Sequence, residues 1–334
     1  MIVEATIHSF SLWHHFAHKP GFDAIAYADL ADSLGLSGIS LSLNNPNYRH
    51  LGGREPERMD RLRRHLEALK FSLEVDTSGT DPAHMSELLK VASRMGATSL
   101  RTYTRHQGTP VEMAEATTRD LGAVMAEAAA LGIVVVLENH EDFTGPELAR
   151  IVERVDHPNL KILYDYGNSQ MVLEDPEAAL EAVLPHVHSV HFKDHVMVRP
   201  EHAGRLTVAG VPIGAGFLPL ERLTQRLLQQ GLRRITFENV WAYSAPIRPG
   251  RTPMQGVVLG DGSFAFLDPP FDPARVVLDQ SKLTPEQLVS LEHDALVEGM
   301  NAFCDVLARL GCTGRWLQGM SVGLAGARRG RGNG

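Results

Sequence analysis

Cysteine, excess positive charge and long apolar runs are the features that this 334-residue sequence has least of. With only Cys304 and Cys312, it cannot build a disulfide framework or a cysteine zinc site. Net charge is -8, which disfavours nucleic-acid binding because phosphate contacts need a basic surface. No apolar run is longer than that from Ile133 to Leu137, whereas a membrane span needs ~20 residues. The N-terminus lacks the basic start and apolar run of a signal peptide. We therefore expect a cytoplasmic protein without nucleic-acid or membrane partners.

What the sequence does contain is a regular alternation of β-rich apolar runs and helical patterns. Its 43% hydrophobic and 22% charged residues are typical of a globular protein. Eight strand candidates recur at intervals of roughly 25–45 residues, the length of a βα unit. They are Val3–His8, Gly38–Leu43, Phe71–Asp76, Ser99–Thr104, Ile133–Glu138, Leu160–Asp165, Val187–Phe192 and Arg234–Glu238. This pattern predicts an α/β fold, a (β/α)8 TIM barrel with a C-terminal extension. A doubly wound sheet is disfavoured, because no Gly-rich turn follows the first strand.

The chain divides into three predicted parts. Residues 1–245 form the barrel, and residues 246–320 form an arm and a helix. The helix, predicted over 284–310, carries a leucine stripe that would pack on the barrel or on a second subunit. A homo-oligomer is therefore expected. Residues 321–334 are rich in Arg and Gly and are expected to be a disordered, solvated tail, with anionic-partner binding as the alternative.

Four successive strand ends carry side chains that suit a metal ion: Glu138, Asp165, His191 and Glu238. In a barrel, the C-terminal strand ends converge on one mouth. Three carboxylates and one imidazole form an oxygen-rich site that favours Mn²⁺ or Mg²⁺, while Co²⁺ and Zn²⁺ remain compatible. Any one acid alone could instead cap the next helix, but four in succession favour one divalent metal site.

The same strand ends resemble a known family. The sequences LENH (137–140), LYDYGN (163–168), VHFKD (190–194) and ITFEN (235–239), with GAGFLPLERL (214–223), resemble the xylose isomerase-like TIM barrels, also described as sugar phosphate isomerases/epimerases. The resemblance implies a divalent ion held by the four strand-end residues. It also implies a small carbohydrate whose carbonyl and adjacent hydroxyl bind that ion. Glu138 and Glu238 would then be the catalytic residues that move protons through a metal-stabilised enediolate.

Three departures from the sugar epimerases of this family favour a different reaction. Asn168 stands where such epimerases carry a His. Such epimerases also carry an Arg soon after the strand-seven His, where this sequence has Lys193 and His195, and the chain continues beyond residue 245.

Arg101, inside strand four, is either a structural partner of Glu74 or a clamp on a substrate carboxylate. The clamp favours a lyase that catalyses decarboxylation or elimination on a 3-oxo sugar or sugar acid. Such a lyase would resemble the branch of the family that includes 3-oxo-isoapionate decarboxylase. A keto-sugar isomerase or epimerase is the alternative; a repair endonuclease and a non-catalytic binding protein are less favoured.

Further substrate contacts are predicted around the mouth. His8 and Trp13 follow the first strand and form a candidate sugar wall, although Trp13 could equally be a packing lid. His140 and Asn168 follow the metal-ligand positions on strands five and six. Lys193 and His195 would stabilise an oxyanion or act as acids, or else lie on the surface.

Overall fold

Eight parallel strands close into a barrel in the computed structural model, which describes residues 1–44 and 47–317. In the order in which they pair, the strands are β1 (Glu4–His8), β2 (Gly38–Ser42), β3 (Ser72–Asp76), β4 (Ser99–Thr102), β5 (Val134–Glu138), β6 (Leu160–Asp165), β7 (Val187–Phe192) and β10 (Arg234–Phe237), which closes on β1. The predicted fold class is confirmed. Every barrel strand lies within its predicted bounds, because buried parallel strands read as short Val, Ile and Leu runs.

Most of the helices cover the outside of the barrel. The helices are α1 (Trp13–His18), α2 (Ala24–Ser33), α3 (Pro56–Leu69), α4 (Pro82–Met95), α5 (Pro110–Ala130), α6 (Gly145–Val155), α7 (Pro176–Val183), α8 (Pro200–Ala203), α9 (Leu220–Gln229) and α10 (Pro285–Arg309). Short 3-10 turns lie at Ser9–Leu12, Asn168–Val172, Leu184–His186, Gly262–Phe264 and Gln280–Lys282. Thr109, Thr144 and Thr284 each begin a helix with a reciprocal capping box. These caps satisfy N–H groups that the first helical turn leaves without partners.

A second, three-stranded sheet was not among the predicted elements. It contains β8 (Asp194–Val198), β9 (Thr207–Val211) and β11 (Ser244–Pro246), paired antiparallel. Only Lys193 separates the end of β7 from the start of β8, so the sequence gives no sign of where one strand ends and the next begins. At Gly210 any Cβ would collide with the carbonyl oxygen of Val240, so this close backbone approach requires glycine. The sheet follows directly from the C-terminal end of β7.

Helix α10 completes the ring of helices. It packs against α9 on one side and α1 on the other. Phe303 on its buried face meets the rings of Phe192 and Phe237 from β7 and β10, at centroid distances of 5.0 and 5.7 Å. The predicted helix thus covers the barrel of its own chain. The predicted tail at 321–334 lies outside the described residues. Over the residues that are described, no helix is long and apolar enough to span a membrane.

Candidate metal centre and active-site cavity

The four predicted metal ligands meet at the C-terminal mouth of the barrel. His191 Nδ1 lies 3.5 Å from Glu138 Oε1, 3.8 Å from Asp165 Oδ2 and 3.5 Å from Glu238 Oε2. Each comes from the end of a different strand, and all four side chains are buried. We call these four residues the carboxylate cluster. The strand ends therefore converge as the barrel geometry predicts.

Several ligand atoms of the carboxylate cluster are not fully satisfied. Among the described residues, Glu238 Oε2 and both His191 ring nitrogens are buried without a hydrogen bond. Glu138 Oε2 and Asp165 Oδ2 have only ion-pair contacts, with Arg101 Nε and Lys193 Nζ. Such atoms are costly unless something else satisfies them. Burial raises the pKa of Asp165 to about 7, and the nearby Glu238 and Glu138 add to the rise although Lys193 opposes it. A dication would satisfy the unpartnered atoms and relieve the repulsion, so the residues fit a metal ion.

His8 connects the carboxylate cluster to the first half of the barrel. Its Nε2 lies 2.9 Å from Asp76 Oδ2 and its Nδ1 lies 2.8 Å from Glu238 Oε1. Although burial disfavours the charged ring, these two carboxylates raise the pKa of His8 to about 10. With both ring nitrogens against carboxylates, His8 orients Glu238 and is not placed to face a substrate with a free nitrogen.

Arg101 is buried inside the barrel, but its partner is not Glu74. Its Nη1 lies 3.5 Å from Asp76 Oδ1, and its Nε lies 3.2 Å from Glu138 Oε2. The register explains the difference, because β3 and β4 pair Asp76 with Arg101 and Glu74 with Ser99. Glu74 accepts hydrogen bonds from serine hydroxyls one layer deeper in the barrel. The expectation of an Arg101–Glu74 ion pair is therefore wrong.

Lys193 places an ammonium beside the carboxylate cluster. Its Nζ lies 2.8 Å from Asp165 Oδ2 and 3.7 Å from Glu238 Oε2, and it donates to Asn168 Oδ1 at 2.9 Å. Burial disfavours the charge, but the surrounding carboxylates raise the pKa of Lys193 above its ordinary value. Asn168 therefore acts here as an acceptor for Lys193. Both residues line the cavity, so Lys193 is not a surface residue.

The next residue along the chain fixes the backbone of this segment. Asp194 accepts N–H hydrogen bonds from Gly214 and Gly216, each at 3.0 Å, and from Leu218 at 3.3 Å. A Cβ at Gly216 would collide with the Asp194 carboxylate. The Gly-x-Gly segment that the sequence shows therefore docks onto the VHFKD segment and holds the backbone next to Lys193.

A cavity of about 480 Å³ opens above the carboxylate cluster. Of the predicted substrate contacts, those that line it are His8, Trp13, Arg101, His140, Asn168 and Lys193. His195 does not line it: the ring is fully buried and stacks 6.2 Å from Tyr243. A larger cavity of about 800 Å³ lies between the second sheet and the C-terminal arm. It contains none of the predicted site residues, so the smaller cavity is the candidate active site.

The cavity wall includes residues that the sequence did not single out. Tyr103 stacks on His140 with ring centroids 3.7 Å apart and planes 6° apart, and Arg105 donates to its hydroxyl at 2.6 Å. Asp76 ends β3 in the same way that Asp165 ends β6, so the strand-end pattern was a usable signal for it. No sequence pattern marks Tyr103 or Arg105, which lie at and beyond the end of β4.

Comparison with known families agrees with this architecture. A family model described as the xylose isomerase-like TIM barrel matches residues 7–253, well over half of the chain. The chain belongs to the xylose isomerase-like TIM barrel family. The carboxylate cluster and the cavity both lie within the barrel that this match covers.

Two curated relatives are similar in sequence. The uncharacterized protein YihM of Escherichia coli (strain K12) is 26% identical over 203 residues, covering 61% of this chain and 62% of that protein. The 3-oxo-isoapionate decarboxylase of Pectobacterium atrosepticum is 27% identical over 184 residues, covering 54% of this chain and 66% of that protein. The chain thus spans slightly less than two thirds of the length of each relative.

Solved structures show the same fold. The IOLI protein, whose structure has a bound zinc atom, superposes with a TM-score of 0.61 at 12% identity. The superposition covers 92% of this chain and 99% of that protein. At this identity the likeness establishes the barrel architecture and nothing about the reaction.

Proposed function

We propose that this protein is a divalent-metal-dependent enzyme acting on a small carbohydrate. We further propose that its reaction is of the lyase type, decarboxylation or elimination, on a 3-oxo sugar or sugar acid. The observation that carries the proposal is the buried carboxylate cluster, in which Glu238 Oε2 and both His191 ring nitrogens lack a hydrogen bond, beneath a cavity large enough for one sugar. The sequence similarity to a 3-oxo-isoapionate decarboxylase supports the lyase assignment.

The metal would be held by Glu138, Asp165, His191 and Glu238. Three carboxylates and one imidazole favour Mn²⁺ or Mg²⁺, and the zinc in the IOLI protein keeps Zn²⁺ among the compatible ions. Such an ion, when bound, supplies Lewis-acid polarisation of the substrate carbonyl and neutralises negative charge that develops on its oxygen.

Lys193 is the proposed proton donor. In a decarboxylation, the bond between the carboxylate carbon and its neighbour breaks, the electron pair passes towards the carbonyl, and CO2 leaves. The carbon that lost CO2 must then accept a proton. The Lys193 ammonium carries protons at Nζ within the cavity, and its position next to Asp165 and Asn168 holds it there. Solvent then restores the proton to Lys193.

The pairing of the two glutamates favours a lyase over an epimerase. Arg101 contacts Glu138, and His8 contacts Glu238. Although burial favours the neutral acid, the Arg101 guanidinium holds the pKa of Glu138 below its ordinary value. A two-base epimerase needs one glutamate in its acid form to return a proton, whereas decarboxylation needs no base. An isomerase or epimerase remains the second candidate, because both carboxylates lie 3.5 Å from His191 Nδ1 and flank the site.

The test is an assay in deuterated water with Mn²⁺-loaded protein and a panel of 3-oxo sugar acids and ketoses. A lyase of the proposed type releases CO2 or an eliminated group, and decarboxylation leaves one solvent deuterium in each product molecule. Deuterium exchange into ketoses without bond cleavage would establish the epimerase alternative. No reaction with any member of the panel, in protein that holds its metal, would contradict both.

A further inference from the structure

Three Lys and Arg side chains line the cavity, and within the described part of the chain one of them lacks a carboxylate partner at contact distance. Arg101 pairs with Asp76 and Glu138, and Lys193 pairs with Asp165. Arg105 lines the same cavity. Within residues 1–44 and 47–317, no carboxylate oxygen lies within 4.0 Å of the Arg105 guanidinium. Its charge is therefore available to a ligand, whereas the charges of the other two are already balanced.

Arg105 is held in place without being neutralised. Its Nη2 donates to the Tyr103 hydroxyl at 2.6 Å, and its guanidinium carbon lies 4.6 Å from the centre of the Tyr103 ring. Tyr103 is buried and is itself stacked on His140. The side-chain stem of Arg105 passes over Gly79, with Cγ 3.7 Å from where a Cβ would stand. A guanidinium fixed on an aromatic support loses little conformational freedom when it binds an anion.

Arg101 is poorly suited to the same task. An anion brought to Arg101 would also approach Asp76 and Glu138, whose combined charge exceeds that of the guanidinium. Charge repulsion would offset much of the attraction. Arg105 is exposed at the rim of the cavity, and no carboxylate oxygen of residues 1–44 and 47–317 lies within 4.0 Å of its guanidinium. Asp142 interacts with it at longer range, where burial raises the pKa of Asp142 and Arg105 opposes that rise.

We infer that Arg105 is a specificity-determining residue that binds an acidic oxygen group on the substrate, and so selects anionic sugars over neutral ones. The inference rests on the proposed function, since it assumes that the cavity binds a carbohydrate. The guanidinium fork matches a carboxylate with two parallel hydrogen bonds, and a phosphate offers the same oxygen geometry. Arg105 contributes binding and orientation, and the bond-breaking step belongs to the groups around the carboxylate cluster.

The test measures binding, not turnover. D-glucose, D-glucuronate and D-glucose 6-phosphate share one ring and differ at the sixth carbon, so they serve as matched probes. Calorimetric titration of each into Mn²⁺-loaded wild type and Arg105→Gln gives the dissociation constants. We expect wild type to bind at least one anionic probe more tightly than D-glucose. The substitution should weaken the affinity for that probe by about tenfold or more, as for a lost charge-assisted hydrogen bond, and leave the affinity for D-glucose unchanged. The probe whose affinity falls shows whether the acidic group is a carboxylate or a phosphate.

Arg49→Gln is the matched control. Arg49 is also exposed and lies over an aromatic ring, 4.7 Å from the centre of Trp13, but it does not line the cavity. It should leave all three affinities unchanged, which separates a specific contact from general attraction of anions. Arg105→Lys should bind the anionic probe more tightly than Arg105→Gln, because lysine keeps the positive charge. It should bind the probe less tightly than wild type, because lysine lacks the two parallel N–H donors of the guanidinium.

Three results would overturn the inference: no preference of wild type for either anion, no loss in Arg105→Gln, or an equal loss for all three probes. Failure of the proposed function gives a different result. In that case the assay for CO2 and deuterium is negative while Arg105 still governs anion binding. The metal content of each variant, measured by elemental analysis, confirms that the carboxylate cluster is intact.

Discussion

The two halves of the barrel mouth use charged residues in opposite ways. In the second half, three carboxylates surround His191, both of whose ring nitrogens lack a hydrogen bond, and Lys193 is the cation beside them. In the first half, the charged side chains at the ends of β1, β3 and β4 satisfy one another: His8 and Arg101 both contact Asp76. The second half carries excess negative charge that an added cation would balance, whereas the charges of the first half are already paired.

The contrast suggests a division of labour. A surplus of buried negative charge binds a dication, at a cost in stability while the ion is absent. A paired network keeps its neighbours in position, and His8 and Arg101 each reach across to one glutamate of the carboxylate cluster. In the proposed metal site, the first half would orient the ligands and the second half would hold the ion. Substitutions in the two halves should produce different losses, which the following predictions use.

The largest effect is expected for Asp165→Ala. Asp165 is one of the four proposed metal ligands, so the variant should lose the proposed divalent ion and the proposed activity. Elemental analysis of purified protein, after dialysis against a limited excess of Mn²⁺, measures the ion directly. Glu141→Gln is the control, because Glu141 lines the same cavity but is paired with Tyr243 and Arg248. Unchanged metal content in Asp165→Ala would contradict the assigned metal site.

Asp76→Asn should instead lower stability while leaving the metal in place. The substitution removes the carboxylate that His8 and Arg101 share, and leaves a buried guanidinium with one partner fewer. Removing one partner from a buried ion pair typically costs about 3–5 kcal/mol of unfolding free energy. Urea unfolding of the metal-loaded protein measures this loss. Should the variant lose its metal and keep its stability, the proposed division between the two halves would be wrong.

Lys193→Gln tests the proton donor within the second half. The amide can still contact Asn168 but carries no transferable proton at neutral pH. We expect kcat to fall by about 10²-fold, the usual contribution of a general acid, with metal content unchanged. Deuterium should then enter the product from both faces, because solvent replaces an oriented donor. Retained stereospecificity with a normal rate would assign the proton to another group.

Much of the second half could be predicted from the sequence, and much of the first half could not. Each ligand of the carboxylate cluster follows an apolar strand, and barrel geometry alone brings strand ends together. The partner of Arg101 depends on strand register, which the strand bounds do not specify; a shift of two residues separates Asp76 from Glu74. Asp76 also resembles an acid that caps the next helix, although Asp81 caps α4.

The second sheet and His195 illustrate a different limit. Because a single residue separates β7 from β8, the segment from His191 to His195 appears in the sequence as one strand end with several polar side chains. In the structure Lys193 faces the cavity, whereas His195 belongs to β8 and is buried against Tyr243. Apolar periodicity cannot show where one sheet ends and another begins when no turn residue separates them.

The smallest predicted effect belongs to Arg101→Lys, and it is the sharpest test of the comparison. If Arg101 clamped a substrate carboxylate, lysine would keep the charge, lose the fork, and reduce kcat/KM for a sugar acid more than for its neutral analogue. The contacts with Asp76 and Glu138 predict otherwise. An ammonium cannot reach both carboxylates as a guanidinium does, so we expect about 1–2 kcal/mol of lost unfolding free energy. The loss in kcat/KM should be the same for both substrates, because Glu138 is displaced in either case. Urea unfolding and parallel kinetics with the matched pair measure the two quantities. A loss of kcat/KM confined to the acidic substrate, without a change in unfolding free energy, would show that Arg101 binds the substrate anion. The contrast between the two halves would then be wrong.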